Sequence, residues 1–263
     1  MFPPDGPTKT KILGDVTEDK PQIAERKRDY MNWQLTEQIE EFRDEQEQLL
    51  TQLPLGGSQF LKLWYDEQKK RPCAEFVPID NILLPFAATN FYTAQRATEK
   101  QDITDWEFRS RIDRGLYRDV SYIRATAEPE QSAAEKANEK IEGKQYQDGS
   151  DGLRTVYHIY TWLNMDDDQY SKGENAPYIL MIDELDNKVV GLYRNWEDGD
   201  ETMTKLDWVV EFKFIPWRGA YAIGLPHLIG GLSAALTGGI RALLDSAHIN
   251  NAATMLKLKG AQI

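Results

Sequence analysis

FIPWRGAYAIGLPHLIGGLSAALTGGIRALLDSAHINNAATML, residues 214–256, stands apart from the rest of the 263-residue chain because it holds almost no charge. No Asp, Glu, Lys or Arg occurs between Ala222 and Ile240. Pro226 sits where a helix can begin, since its fixed φ suits a first turn and its missing N–H is not needed there. Apolar residues then recur at Leu228, Leu232, Leu236, Ile240, Leu243 and Ala247, the spacing of one helix face. A helix from Pro226 to about Leu256 would be a rod of roughly 45 Å.

Three readings compete for this rod. A core helix of a globular domain would not carry Gly230, Gly231, Gly238 and Gly239 without a reason, because each costs roughly 1 kcal/mol against alanine. A membrane anchor over Ala222–Ile240 has about the 20 residues required, but Pro226, His227, Ser233, Thr237 and four glycines dilute it. Arg241 and Asp245 follow at once. A helix laid beside copies of itself explains the glycines best, since small residues let backbones approach closely. The subunit-packing candidates are then Gly230, Gly231, Ala234, Ala235, Gly238 and Gly239, with Arg241 at their end.

Upstream, the pattern predicts an α+β fold. Strand-like runs occur at Leu153–Leu163, Tyr178–Asp183, Lys188–Trp196 and Leu206–Trp217, the middle pair turning at Leu185-Asp186-Asn187. They read as an antiparallel meander feeding the rod. Shorter strands are expected at Gln59–Tyr65 and Cys73–Val77, with an extended piece between Pro78 and Pro85. Thr104-Asp105-Trp106-Glu107 is a capping box, and Gly115 closes the helix it opens. Pro21 begins a helix expected to run to about Leu53, read as amphipathic on a domain surface in preference to a coiled-coil segment, and stopped by Pro54 and Gly56-Gly57. Residues 1–18 read as a loose arm, and Ala125–Gly152 as a solvated helix with a mobile loop behind it.

Charge and motifs exclude several functions. The net charge is −12. Residues 209–263 hold five basic groups against two acids, which leaves 26 against 41 in residues 1–208. A tight DNA binder needs a clustered basic face, so a duplex would be guided rather than held. No P-loop and no H-E-x-x-H occurs, and His158, His227 and His248 are far apart. Asp166-Asp167-Asp168, with Asp183 and Glu184, is the one candidate for a metal-dependent hydrolase, set against solvent-facing turn carboxylates. Cys73 reads as structural, His227 as a helix cap or packing group, and the tryptophans as core. The expectation is a non-enzyme without cofactor.

Four landmarks in order resemble the portal proteins of tailed bacteriophages, closest to the short-tailed type: Asp29–Thr36 (DYMNWQLT), Arg71–Pro78 (RPCAEFVP), Gly115–Val120 (GLYRDV) and Phe214–Gly260. Within the last, F-x-P-W, G-L-P-H-L-I-G-G-L and L-L-D-S-A-x-x-N carry the likeness. The resemblance implies a structural subunit of a homo-oligomeric ring, a dodecamer, at one capsid vertex of the virion. Double-stranded DNA would pass through it without sequence specificity, with terminase, major capsid protein and tail adaptor as partners and no membrane. It also implies a wing over 19–217, a stem-type helix over 218–256 and the start of a clip at 257–263. The family continues with the rest of the clip, a second stem helix and often a crown, so the chain is expected to be a fragment or an early-ended product.

Overall fold

The structure is a computed structural model that describes residues 6–14, 19–120, 153–165, 171 and 173–251. The Ala125–Gly152 segment, Asp166–Asp168 and everything after Asn251 lie outside the described residues. The fold is α+β: helices and two antiparallel sheets lead into one long C-terminal helix.

The N-terminal helix is not continuous. Helix α1 spans Lys20–Trp33, a wide turn follows at Gln34–Gln38, and α2 resumes at Phe42–Gly56. The apolar spacing of Leu35, Ile39 and Phe42 would suit an unbroken helix, but Ile39 leaves helical geometry (φ −95°, ψ 85°) and is buried. Arg71 fills the break, donating to the Gln38 carbonyl at 3.5 Å and to the Glu41 carboxylate at 2.7 Å. A tertiary partner therefore satisfies what the helix gives up. Pro54 does not stop α2; the turn of stop comes at Gly57, whose φ of +85° ends the helix while its N–H still reaches the Leu53 carbonyl at 2.9 Å. Part of the N-terminal arm lies along α1, where Thr8 N–H donates to Asn32 at 2.9 Å and the Thr10 hydroxyl to the Ala24 carbonyl at 2.9 Å.

A three-stranded sheet has the order β2-β1-β8, from β1 (Ser58–Asp66), β2 (Arg71–Val77) and β8 (Val209–Lys213). A five-stranded sheet runs β3-β4-β5-β6-β7, from β3 (Ile82–Leu83), β4 (Arg96–Thr104), β5 (Leu153–Asn164), β6 (Asn175–Asp183) and β7 (Lys188–Arg194). The expected meander is thus corrected at both ends. Strand β8 leaves it to pair with β1, Leu61 opposite Val210, and β4 joins it beside β5 with Glu99 opposite His158. The Thr104 half of the expected capping box forms, its hydroxyl accepting from the Glu107 N–H at 3.2 Å to open α3, Asp105–Asp113, while the Glu107 carboxylate accepts from Arg111 at 2.6 Å.

Two apolar clusters hold these layers. Phe60, Val77, Ile82, Phe91, Ala97 and Val209 fill the space between the sheets. Phe108 of α3 sits on the large sheet among Ile103, Tyr117, Val156 and Val190. Buried charge joins them. Lys62 of β1 reaches across to both carboxylate oxygens of Glu99 on β4 at 2.8 Å, and Tyr160 and Gln101 donate to the same carboxylate at 3.1 and 2.5 Å. Against the cost of burial, the Lys62 ammonium and these donors hold Glu99 below the ordinary glutamate range. Beside it, Arg111 donates to the Tyr117 hydroxyl at 2.7 Å, and that hydroxyl shares a hydrogen bond of 3.1 Å with His158 Nε2. Burial, with the nearby Lys62 and Arg111 charges, pushes His158 down to about 3, so its imidazole is neutral at pH 7.

Acid should therefore loosen the body. An imidazole neutral in the fold but protonated below about 6.5 when unfolded withdraws stability as pH falls from 6.5 toward 3, and Glu99 adds to the loss below its ordinary 4.5. Denaturant titrations at pH 7 and 4.5 should differ by about 2–3 kcal/mol more in the native chain than in His158→Gln. Lys62→Met, which strands Glu99 in the interior, should cost about 3–5 kcal/mol at pH 7 by the same measurement.

Candidate functional site

The candidate site is the long helix, α4, Leu225–Asn251, together with the turn that roots it. It is unbroken over 27 residues, about 40 Å at 1.5 Å per residue. Every residue from Leu225 to Asn250 is exposed. Eight Leu and Ile side chains between Leu228 and Ile249 are 49 to 74% exposed. Full burial of one such side chain is worth roughly 1.5–3 kcal/mol, so the helix holds on the order of 10 kcal/mol of uncollected hydrophobic free energy. Monomeric surfaces rarely leave so long an apolar stripe bare.

The root is built by close backbone contact. A Cβ on Gly57 would lie 2.5 Å from the Ala222 carbonyl oxygen, and one on Gly224 would lie 2.5 Å from that of Leu55. Glycine at both positions lets the end of α2 touch the start of α4, the carbonyl end of one dipole against the amide end of the other. Ser58 locks the contact: its hydroxyl donates to Glu211 at 3.0 Å and accepts the Ala222 N–H at 2.8 Å. Burial raises the Glu211 carboxyl above its usual value, while Ser58 and Lys213 oppose the shift. The Phe214 N–H donates to the Gly57 carbonyl at 2.8 Å, and Ile223 to Ile215 at 3.0 Å. Tyr221 is a further tie, donating to the Ile82 carbonyl at 2.9 Å and accepting the Leu84 N–H at 3.2 Å. His227 caps the helix start, accepting the Gly224 N–H on Nδ1 at 3.3 Å. Sequence reasoning anticipated the cap but not Ser58, Gly57 or Gly224 as the anchor, whose partners lie far away along the chain.

All seven subunit-packing candidates lie on α4 and are exposed: Gly230, Gly231, Ala234, Ala235, Gly238, Gly239 and Arg241. At each of the four glycines an added Cβ would meet nothing within 4 Å. No contact among the described residues therefore requires them, unlike Gly57 and Gly224. The helix is also long and apolar enough to cross a membrane, with a mean hydropathy of 1.3 over its best window between Leu225 and Asn250.

Of the hydrolase candidates only Asp183 and Glu184 lie among the described residues. Asp183 is fully buried, 3.2 Å from the guanidinium of Arg154, which also meets Asp186 at 3.3 Å and stacks 4.4 Å over the Phe108 ring. It serves an internal charge cluster. No group of three His, Cys, Asp or Glu that could hold a metal occurs among the described residues. Cys73 is buried and its thiol is pushed up by burial.

Root and rod should respond differently to one methyl group. Gly224→Ala forces backbone against backbone and should lower the unfolding midpoint, at a cost above about 2 kcal/mol. Gly238→Ala, with open space and better helix propensity, should leave the midpoint unchanged or raise helix stability by roughly 1 kcal/mol in a thermal melt of the isolated chain. Compared with known proteins, the chain matches no family model and no curated protein sequence.

Proposed function

We propose that this chain is a structural subunit of a phage portal ring, one of about twelve copies surrounding a channel for DNA during packaging and ejection. The observation that carries the reading is a 27-residue helix, exposed from Leu225 to Asn250 and rooted in an α+β body, whose glycines serve no contact among the described residues. The four landmarks that resemble portals support it, and the last of them contains this helix and its root. In this reading the body forms the wing, α4 the stem, and ring contacts between copies cover the apolar rod. A net charge of −12 suits a conduit that lets a polyanion slide through without capture. Terminase, major capsid protein and tail adaptor would be its partners, and the virion its place.

A second reading, a membrane-anchored protein, is favoured by the hydropathy of α4. Four glycines, with Arg241 and Asp245 in the same helix, weigh against it. A metal-dependent hydrolase would rest on Asp166–Asp168, and calorimetry with Mn²⁺ should then give a binding isotherm that Asp167→Ala abolishes; no heat of binding is expected.

Particle size tests the proposal. The purified chain, without detergent, should give rings about twelve subunits round in negative stain and a matching mass by light scattering. A compact monomer, or a chain soluble only in detergent, would sink it. Gly238→Leu should reduce the ring fraction while leaving the monomer's circular dichroism unchanged, because only a neighbour occupies that space.

A further inference from the structure

We infer that the exposed basic face of α1 docks on an acidic row, carried by the following turn and α2, in a second copy of this chain. Neither α4 nor its root takes part, so the contact stands apart from the ring reading. At about 100° per residue, α1 divides into two unlike halves. One half carries Lys20, Ile23, Arg26, Lys27, Tyr30 and Trp33, with Gln22 at its margin, all exposed and none acidic. Asp19 precedes it at the N-cap. The other half carries both acids of the helix, Glu25 and Asp29, which Arg28 pairs at 3.2 and 2.8 Å. It also carries Asn32, against which the N-terminal arm lies. No residue of α1 is buried. The Arg26 and Lys27 side chains have no partner among the described residues.

Cations interleaved with exposed aromatics suit an anionic partner. Tyr30 and Trp33 are 57 and 48% exposed, their ring centroids 5.8 Å apart beside the cations. A lipid surface is a poor fit, because interfacial helices carry a broad leucine- and phenylalanine-rich face and α1 has neither residue. Three cations would neutralise about three phosphates, a weak hold on nucleic acid. A second copy brings the complement in full. Glu37, Glu40, Asp44 and Glu47 recur at the spacing of Ile23, Arg26–Lys27, Tyr30 and Trp33, so the two rows match in length. Arg71 and Arg43 approach Glu40 and Glu47 at 3.6 and 3.4 Å, while Glu37 and Asp44 have no partner among the described residues. Within one chain the rows lie end to end, on either side of the break that Arg71 fills, and Arg26 and Lys27 do not reach the acids. Unlike surfaces meet in this contact, so it closes as a reciprocal two-fold pair or runs on head to tail.

Charge exchange tests the docking in the full chain. Sedimentation should give a mass above one chain in about 0.1 M NaCl that falls toward the monomer in about 1 M. Arg26→Glu with Lys27→Glu, or Glu37→Lys with Asp44→Lys, should each weaken self-association roughly tenfold or more with circular dichroism unchanged. An equal mixture of the two double variants should restore it, because each then meets the opposite charge on the other. Unchanged association in either double variant, or a mixture no tighter than its parts, would overturn the contact. So would a fluorescent single-stranded oligonucleotide, or phosphatidylserine vesicles, bound through Arg26 and Lys27 while association ignores the exchange. A restored dimer without rings in negative stain would uphold the contact and sink the ring reading, whereas rings indifferent to both exchanges would do the reverse.

Discussion

The contact of Gly57 with the Ala222–Gly224 turn decides where the long helix can leave the body. Two backbones approach there more closely than any side chain permits, and Ser58 ties them by accepting from Ala222 while donating to Glu211. Because Ser58 begins β1, and β1 pairs with both β2 and β8, the root of α4 is continuous with the small sheet. The helix is therefore held at one end by a rigid fixture and, among the described residues, by nothing along its length. A rod supported in this way leaves the body in one fixed direction, which a mobile tether could not give.

The body behind the root is stiffened by charge placed inside it. Lys62 and Glu99 bridge the two sheets, and Arg154 gathers Asp105, Asp183 and Asp186 around the base of α3. Breaking either pair would leave an uncompensated buried ion. Lys62 and Glu99 tie the small sheet, and with it α4, to the large one, while Arg154 ties α3 and the turn after β6 to the large sheet itself.

Much of this was legible in the residues, and the failures have identifiable causes. The rod declared itself through period and missing charge, and the strands from Leu153 to Arg194 through alternation. Strand β4, Arg96–Thr104, did not, because its buried face carries Glu99 and Gln101 and the apolar alternation is absent. Its partner Lys62 lies on another sheet, out of reach of any local pattern. The break at Ile39 was hidden for the opposite reason: the helical spacing is good there, and a distant arginine overrides it. The Leu206–Trp217 run was recognised as a strand but assigned to the wrong neighbours, since its pairing with β1 spans about 150 residues of chain. In the candidate site, the exposed small residues could be listed from composition, whereas the anchoring glycines looked like ordinary turn residues.

The pairing of β1 with β8 also orders events in time. During synthesis β1 has no second neighbour until β8, more than 140 residues later, has left the ribosome, and α4 follows directly behind β8. The sticky rod therefore becomes available only as its own mooring closes. The young chain is thereby spared a long interval in which a bare leucine stripe could gather the wrong companions.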